Sequence, residues 1–228
     1  MITNIKTRRS SSNATDMAGR RRSIIEAAAA VIARHGLSGA TIERVAAEAR
    51  VSPGTVMFHF DKEGLLVATM DQVAQDFEAA RAAAIAAAGD DPARALEALI
   101  EVSFDRRVSE PRRVAVWYAF WGEARARQVY MNRVGRLDAA YQADLVRLCR
   151  DLAARVGAPA HIDPEAVALG FAGLADGLWE EILTAGRNFD RKRAVRLCRS
   201  YLASVFPGQF APRDDGATAS KDKREYVT

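Results

Sequence analysis

A chain of 228 residues, 49% apolar and 27% charged, suits one large domain or a small domain followed by a larger one. It has no run of 18 apolar residues to span a membrane, and Cys149 and Cys198 stand far apart with no CxxC or Cys/His cluster, which argues against a disulfide framework or a cysteine metal site and makes a reduced, cytoplasmic setting the expectation. Lys+Arg number 33 against 29 Asp+Glu, and the excess of four is concentrated: residues 1–64 hold 10 basic and 6 acidic groups, while 65–228 hold 23 of each.

The first 17 residues, including MITNIKTRRSSSNATD, are polar and lack the apolar stretch of a secretory signal, so they read as a disordered arm, with Met17 a possible alternative start. Arg20–His35 carries Ile24, Ile25, Ala28 and Ile32 on one helical face, and Gly36 can end it. The next stretch, Thr41–Phe60, is the most informative. Thr41 is a good N-cap, Glu43 suits the first turn, and Ile42, Val45, Ala46 and Ala49 repeat at helical spacing. A turn at Arg50-Val51 leads to Ser52 as a second cap, with Pro53 at the first helical position. Val56 and Phe60 can then face the core while Thr55, Phe58 and His59 face out. Two short helices around a turn, the second exposing small and polar groups, make a helix-turn-helix, and the positive excess beside it suits DNA phosphates. Two ordinary core helices would share the spacing alone.

After Phe60, Asp61 can cap a long helix over residues 62–88, closed by Gly89. Three acidic-Pro pairs, Asp91-Pro92, Glu110-Pro111 and Asp163-Pro164, mark further helix starts, and Asp190 marks the last. Gly157 and Gly186 are plausible helix ends. No segment alternates with period two, so an all-α fold of nine helices is expected, near residues 20–35, 42–49, 53–59, 62–88, 92–108, 111–127, 129–156, 164–185 and 190–206. Domains follow at 18–64 (DNA-binding) and 65–206 (ligand-binding and dimerisation), with a disordered tail over 207–228.

All three Trp belong to one candidate cluster. Trp117, Phe120 and Trp121 fall at i, i+3 and i+4, and Trp179 lies in a later helix. Such rings suit a quaternary ammonium by cation–π attraction, with Glu123, Asp176, Glu180 or Glu181 as countercharge; an uncharged aromatic effector, or plain core packing, would use the same rings. Gly170, Gly173 and Gly177 form a small-residue stripe where a partner helix could approach. An enzyme is disfavoured: His35, His59 and His161 are scattered, and GxSxG, HExxH, P-loop and dinucleotide turns are all missing, so no catalytic residue, metal or cofactor is expected.

A helix ending in His-Gly, then TIERVAAEARVS-PG, then HF-DKEGLL, resembles the TetR-type transcriptional regulators over about Arg20–Thr69. VWYAFWGEAR within Val114–Arg127 and GLADGLWEEILTAGRNFDRKRA at Gly173–Ala194 resemble the choline-responsive branch typified by the betaine-pathway (BetI-like) repressor. The resemblance implies a homodimer through the helices at 164–185 and 190–206, a near-palindromic double-stranded DNA operator, and a small-molecule effector that releases it. DNA contacts are then expected from Thr41, Arg50, Ser52, Pro53, Gly54, Thr55, Phe58, His59 and Lys62. Effector contacts are expected from Trp117, Phe120, Trp121, Glu123, Asp176, Trp179 and Glu180. Two departures stand out. Many relatives have Gly where this chain has Arg50 in a turn that wants positive φ, and Tyr where it has Met57.

Overall fold

The computed structural model describes residues 4–210, without the side chains of 4–16, 124–127, 129, 130 and 133. Nine α-helices follow in order: α1 Asn4–Gly39, α2 Ile42–Ala49, α3 Pro53–His59, α4 Lys62–Ala88, α5 Pro92–Ser103, α6 Pro111–Gly122, α7 Ala124–Val156, α8 Pro164–Ala185 and α9 Arg191–Val205, with a 3₁₀ turn at Gly186–Asn188. No strand occurs among the described residues.

Most of the helix starts anticipated from the sequence are made by the capping groups named above. Thr41, Ser52, Asp61, Asp91, Asp163 and Asp190 each accept a backbone N–H of the helix they precede. Each such bond satisfies a donor the helix cannot satisfy itself, typically about 1 kcal/mol. Glu110 is the exception: its carboxylate makes no cap bond and receives the Arg112 guanidinium instead, at 2.6 Å. Gly36, at φ 68°, breaks α1 as anticipated, and Gly157 closes α7 in the left-handed conformation.

Five boundaries depart from the sequence reading. The polar arm continues the first helix back to Asn4, since no Pro or Gly precedes Gly19 and extending an existing helix is far easier than nucleating one. α5 stops at Ser103 rather than 108. The Asp105 carboxylate turns the chain by accepting the Arg107 N–H at 2.8 Å, and Arg191, 87 positions beyond Phe104, donates to the Phe104 and Ser109 carbonyls at 2.9 and 2.7 Å. A distant guanidinium thus satisfies carbonyls that lie outside any helix. α6 ends at Gly122 and extended Glu123 starts α7, so both boundaries fall earlier than the 127/129 expected. At the C-terminus the chain packs as far as Phe210, because Phe206 and Phe210 are both buried; the rest of the tail expected to be disordered lies outside the described residues.

Two buried clusters hold the molecule together. The first gathers Ile24, Ala28 and Ile32 of α1, Val45 and Ala46 of α2, Val56 of α3, and Phe60. It is not confined to residues 18–64: Leu65, Met70, Val73 and Ala74 of α4, Val116 and Phe120 of α6 and Val134 of α7 belong to it. The second joins Leu96 and Leu99 of α5, Leu145, Cys149 and Leu152 of α7, Phe171 of α8, and Cys198 and Leu202 of α9. Both cysteines are free and buried, and desolvation pushes their thiols up to about 12, so they serve as small apolar core groups. α4 and α6 therefore run from the helix-turn-helix core into the C-terminal half.

Candidate functional site

The helix-turn-helix forms through local geometry. Arg50 ends α2 in the left-handed conformation, φ 56° and ψ 44°, the single non-glycine residue with positive φ among those described. Its N–H reaches the Ala46 and Ala47 carbonyls, and the Val51 N–H bonds the Ala46 carbonyl at 3.0 Å. Ser52 accepts the Thr55 N–H at 3.1 Å, and the two hydroxyls lie 2.9 Å apart. α3 is anchored by Val56 and Phe60, and the Arg21 guanidinium lies 4.7 Å from the Phe60 ring centre.

The outer face of α3 is open. Phe58 is 74% and Met57 62% exposed, two adjacent large apolar side chains on one short helix. Arg50, Ser52, Thr55 and His59 line one concavity of about 440 Å³. Arg20 and Met17 of α1 complete it, and the sequence reading did not single them out for this site. Their signal was weak, since α1 reaches α3 only through the fold. Pro53, Gly54, Phe58 and Lys62 are exposed outside that concavity, and Thr41 is half-buried with its hydroxyl used as a cap.

The second site is a cavity of about 550 Å³ between α4, α5, α6, α7 and α8. Its wall is aromatic. Phe77 stands edge-on to Trp179, Tyr141 and Trp117 at ring-centre distances of 5.5, 5.9 and 6.4 Å, and Trp117 and Trp179 lie 6.3 Å apart. Two of the rings are held by backbone carbonyls of lining residues: Trp179 Nε1 donates to the Ser103 carbonyl at 2.9 Å, and the Tyr118 hydroxyl donates to the Asp176 carbonyl at 2.9 Å. Asp138 and Asp176 also line the cavity, and among the described residues no Lys or Arg does. Although Asp176 as a residue is exposed, its carboxyl is held above the usual carboxylate range, first by desolvation and then by the Asp138 carboxylate. The Tyr118 phenol is pushed up to about 12 by desolvation and by Asp176 and Glu180. Arg81 lies 5.8 Å from the Tyr141 ring centre but does not line the cavity; Glu78 and Asp144 engage its guanidinium.

Of the sequence-predicted effector residues, Trp117, Trp121, Asp176 and Trp179 meet at this cavity. Phe120 does not: at 2% exposure it is buried in the helix-turn-helix core, because a helical turn puts it on the α1 side of α6. Glu123 and Glu180 are exposed and do not line the cavity, Glu123 because the chain leaves α6 there in extended conformation. Phe77, Tyr141, Asp138, Gln142 and Ser103 went unforeseen, and Tyr118, in the same aromatic run as Trp117 and Trp121 but not among the expected contacts, lines the cavity too. Phe77 and Tyr141 are isolated aromatics on long helices, so only the crossing of α4 and α7 reveals their partnership.

α6 connects the two sites. Val116 and Phe120 point into the first core, while Trp117, Tyr118 and Trp121 face the cavity. One turn earlier, Arg113 donates to Asp76 of α4 at 2.6 Å and to Glu26 of α1 at 3.2 Å. A guanidinium on α6 thus clamps the helix behind the reading head to the helix that carries Phe77.

Gly170 does not belong to an open stripe. A Cβ there would come within 2.3 Å of the Tyr201 hydroxyl, so its smallness serves contact between α8 and α9 of the same chain. Gly173 and Gly177 face open space, and Leu169 on the same helix is 67% exposed.

Among the described residues no cluster could hold a metal ion, and no helix is long and apolar enough to cross a membrane. Compared with known proteins, residues 24–69 match the family described as bacterial regulatory proteins, tetR family, and residues 92–207 match BetI-type transcriptional repressor, C-terminal. The HTH-type transcriptional regulator BetI of Paraburkholderia phytofirmans is 35% identical over 192 residues, covering 82% of this chain and 93% of the relative. BetI of Burkholderia thailandensis is 37% identical over 186 residues, covering 80% and 91%. Among solved structures, a putative transcriptional regulator from Pseudomonas aeruginosa PAO1 superposes with a TM-score of 0.67 at 30% identity, covering 85% of this chain and 95% of that one.

Proposed function

The chain belongs to the TetR family of bacterial regulators with a BetI-type C-terminal half, and we propose that its homodimer holds a near-palindromic operator and releases it when a quaternary ammonium, choline or a close relative, fills the aromatic cavity. At the coarser level it is a transcriptional repressor with a DNA-binding and a ligand-binding part, not an enzyme. The observation that carries the effector reading is the cavity wall: Trp117, Tyr141 and Trp179 each within 6.4 Å of the Phe77 ring centre, two carboxylates, and no lining cation among the described residues. A desolvated cation against an aromatic face gains about 2 kcal/mol or more, and Asp138 and Asp176 supply the countercharge that an uncharged ligand does not need. A cavity volume of about 550 Å³ lies within the ordinary range for small effectors.

On the DNA side, Arg20, Arg50 and His59 flank the concavity beside Ser52 and Thr55, which suits phosphates and sets register. Exposed Phe58 is the group suited to a thymine methyl. α3 has no Arg or Gln for a bidentate base contact. Leu169, Leu183 and Leu197, exposed on α8 and α9, support pairing of these helices with their twins.

The shared helix α6 supports the release mechanism. A ligand among Trp117, Tyr118 and Trp121 acts on the helix whose opposite side is built into the reading-head core. A preference for the DNA-free state of about 1–3 kcal/mol weakens the operator about 5–150-fold. Calorimetric titration with choline and with 3,3-dimethylbutan-1-ol, its uncharged isostere, tests the cation reading. Choline binds and the alcohol binds far more weakly; equal affinity, or no response to choline, removes the quaternary ammonium from the proposal.

A further inference from the structure

A larger concavity opens on another face of α4, about 1110 Å³ between α4, α5 and α9, with Arg22 and Arg113 at its edge. Its floor is the alanine face of α4, Ala79, Ala80, Ala83 and Ala84, walled by Val102 and Val195. Its rim is basic: seven Lys and Arg line it against three Asp and Glu. Six of the seven come from residues 65–228, a stretch with no net charge, so the fold has gathered cations that the sequence spreads out.

The ion pairs do not cancel this surplus. Asp76 is taken by Arg113 and Asp105 by Arg107, Arg199 is paired with Glu97, and the third lining carboxylate, Glu101, still leaves Arg22, Arg191, Lys192 and Arg196 in the majority. Arg191 makes its hydrogen bonds to neutral acceptors, the Phe104 carbonyl and the Ser109 hydroxyl and carbonyl, and shares the nearby Asp105 carboxylate with Arg107. It is half-buried, so its charge is poorly shared with water. Lys192 and Arg196 stand beside it on the same face of α9, Arg196 reaching Asp190 only at 3.9 Å. By helical geometry the other exposed side of α9, with Arg193, Leu197 and Ser200, is turned well away from the groove, so pairing through that side leaves it open.

We propose that this groove is a second ligand site, for an amphiphilic anion: an apolar chain lies along the alanine floor, and a carboxylate or phosphate head meets Arg191, Lys192 and Arg196. A bare inorganic anion would leave the floor uncovered, and a cation would meet the rim's repulsion. The site is separate from the aromatic cavity, and its occupancy does not depend on what that cavity binds.

Calorimetric titration of the full chain with sodium decanoate, well below micelle formation, tests this. Decanoate binds saturably at one site per chain. The Lys192→Glu/Arg196→Glu double substitution and, separately, Ala83→Trp in the floor each weaken it by about tenfold or more. Trp179→Ala, in the aromatic cavity, leaves it unchanged. All four substitutions are checked for an unaltered helical circular dichroism spectrum, and the charge reversal, on exposed residues, stands alone if Ala83→Trp or Trp179→Ala disturbs the fold. No saturable binding, binding that survives the charge reversal in a folded chain, or binding abolished by a folded Trp179→Ala chain overturns the proposal. Failure of choline to bind the aromatic cavity leaves it standing.

Discussion

Replacing Arg50 by Gly separates two effects that a single residue combines. In the fold, Arg50 holds φ 56° and ψ 44°, where a side chain costs about 1 kcal/mol relative to Gly. The capping bonds are made by backbone N–H groups and survive the change. Gly also gains freedom in the unfolded chain, which takes back about 0.4–1 kcal/mol. Arg50→Gly should therefore leave stability unchanged or raise it by up to about 0.5 kcal/mol, a small upward shift in Tm. On DNA the guanidinium that lines the concavity with Ser52 and His59 is lost. Each phosphate neutralised contributes about 0.9 to the slope of log K against log salt, so a dimer losing two contacts should lose roughly 1.8 from that slope. Fluorescence anisotropy on duplex DNA from the chain's own upstream region, across a salt series, measures this. An unchanged slope would mean that Arg50 does not meet a phosphate. A substantial fall in Tm would mean that the left-handed turn holds no strain.

Four further substitutions probe the other sites. Asp176→Asn should weaken quaternary ammonium binding while raising apo Tm near neutral pH. A carboxyl whose folded-state pKa lies above its unfolded value weakens the fold once ionised, so the gain should shrink as pH falls into the carboxylate range; a gain that persists in acid would point to packing instead. Wild-type affinity for the cation should fall over that same descent in pH. Arg113→Met removes the link among Glu26, Asp76 and α6, so stability should drop by about 1 kcal/mol and the effector's power to release DNA should shrink several-fold. Release that is as complete as in the wild type would exclude the clamp from the coupling. Gly170→Ala should cost about 1–3 kcal/mol by crowding the Tyr201 hydroxyl, whereas Gly173→Trp should fold normally and sediment as a monomer. A dimer that tolerates Trp at 173 would move the interface elsewhere.

The helix-turn-helix was legible because its signals are local. Thr41, Ser52 and Asp61 bond to N–H groups only three residues away, and Gly36 and Arg50 set the chain's direction through their own φ. The aromatic cavity was half legible. Trp117 and Trp121 share a helical face and could be paired on paper, but Phe120 carries the same aromatic signal and belongs to another core. Spacing says that residues share a face; it does not say what that face meets.

By itself, the sequence determined where nearly every helix begins, which face of α3 is exposed, and that the net positive charge lies with the reading head. Those properties depend on caps, periodicity and counts within a few turns of chain. Tertiary structure alone decided that Phe77 and Tyr141 complete the aromatic wall, that Arg191 reaches back to stop the chain after α5, and that the cations of a neutral stretch meet in one groove. Phe77 and Tyr141 stand 64 positions apart, Phe104 and Arg191 87, and Arg107 and Arg199 of the groove 92, and contacts over such separations are set by how helices cross.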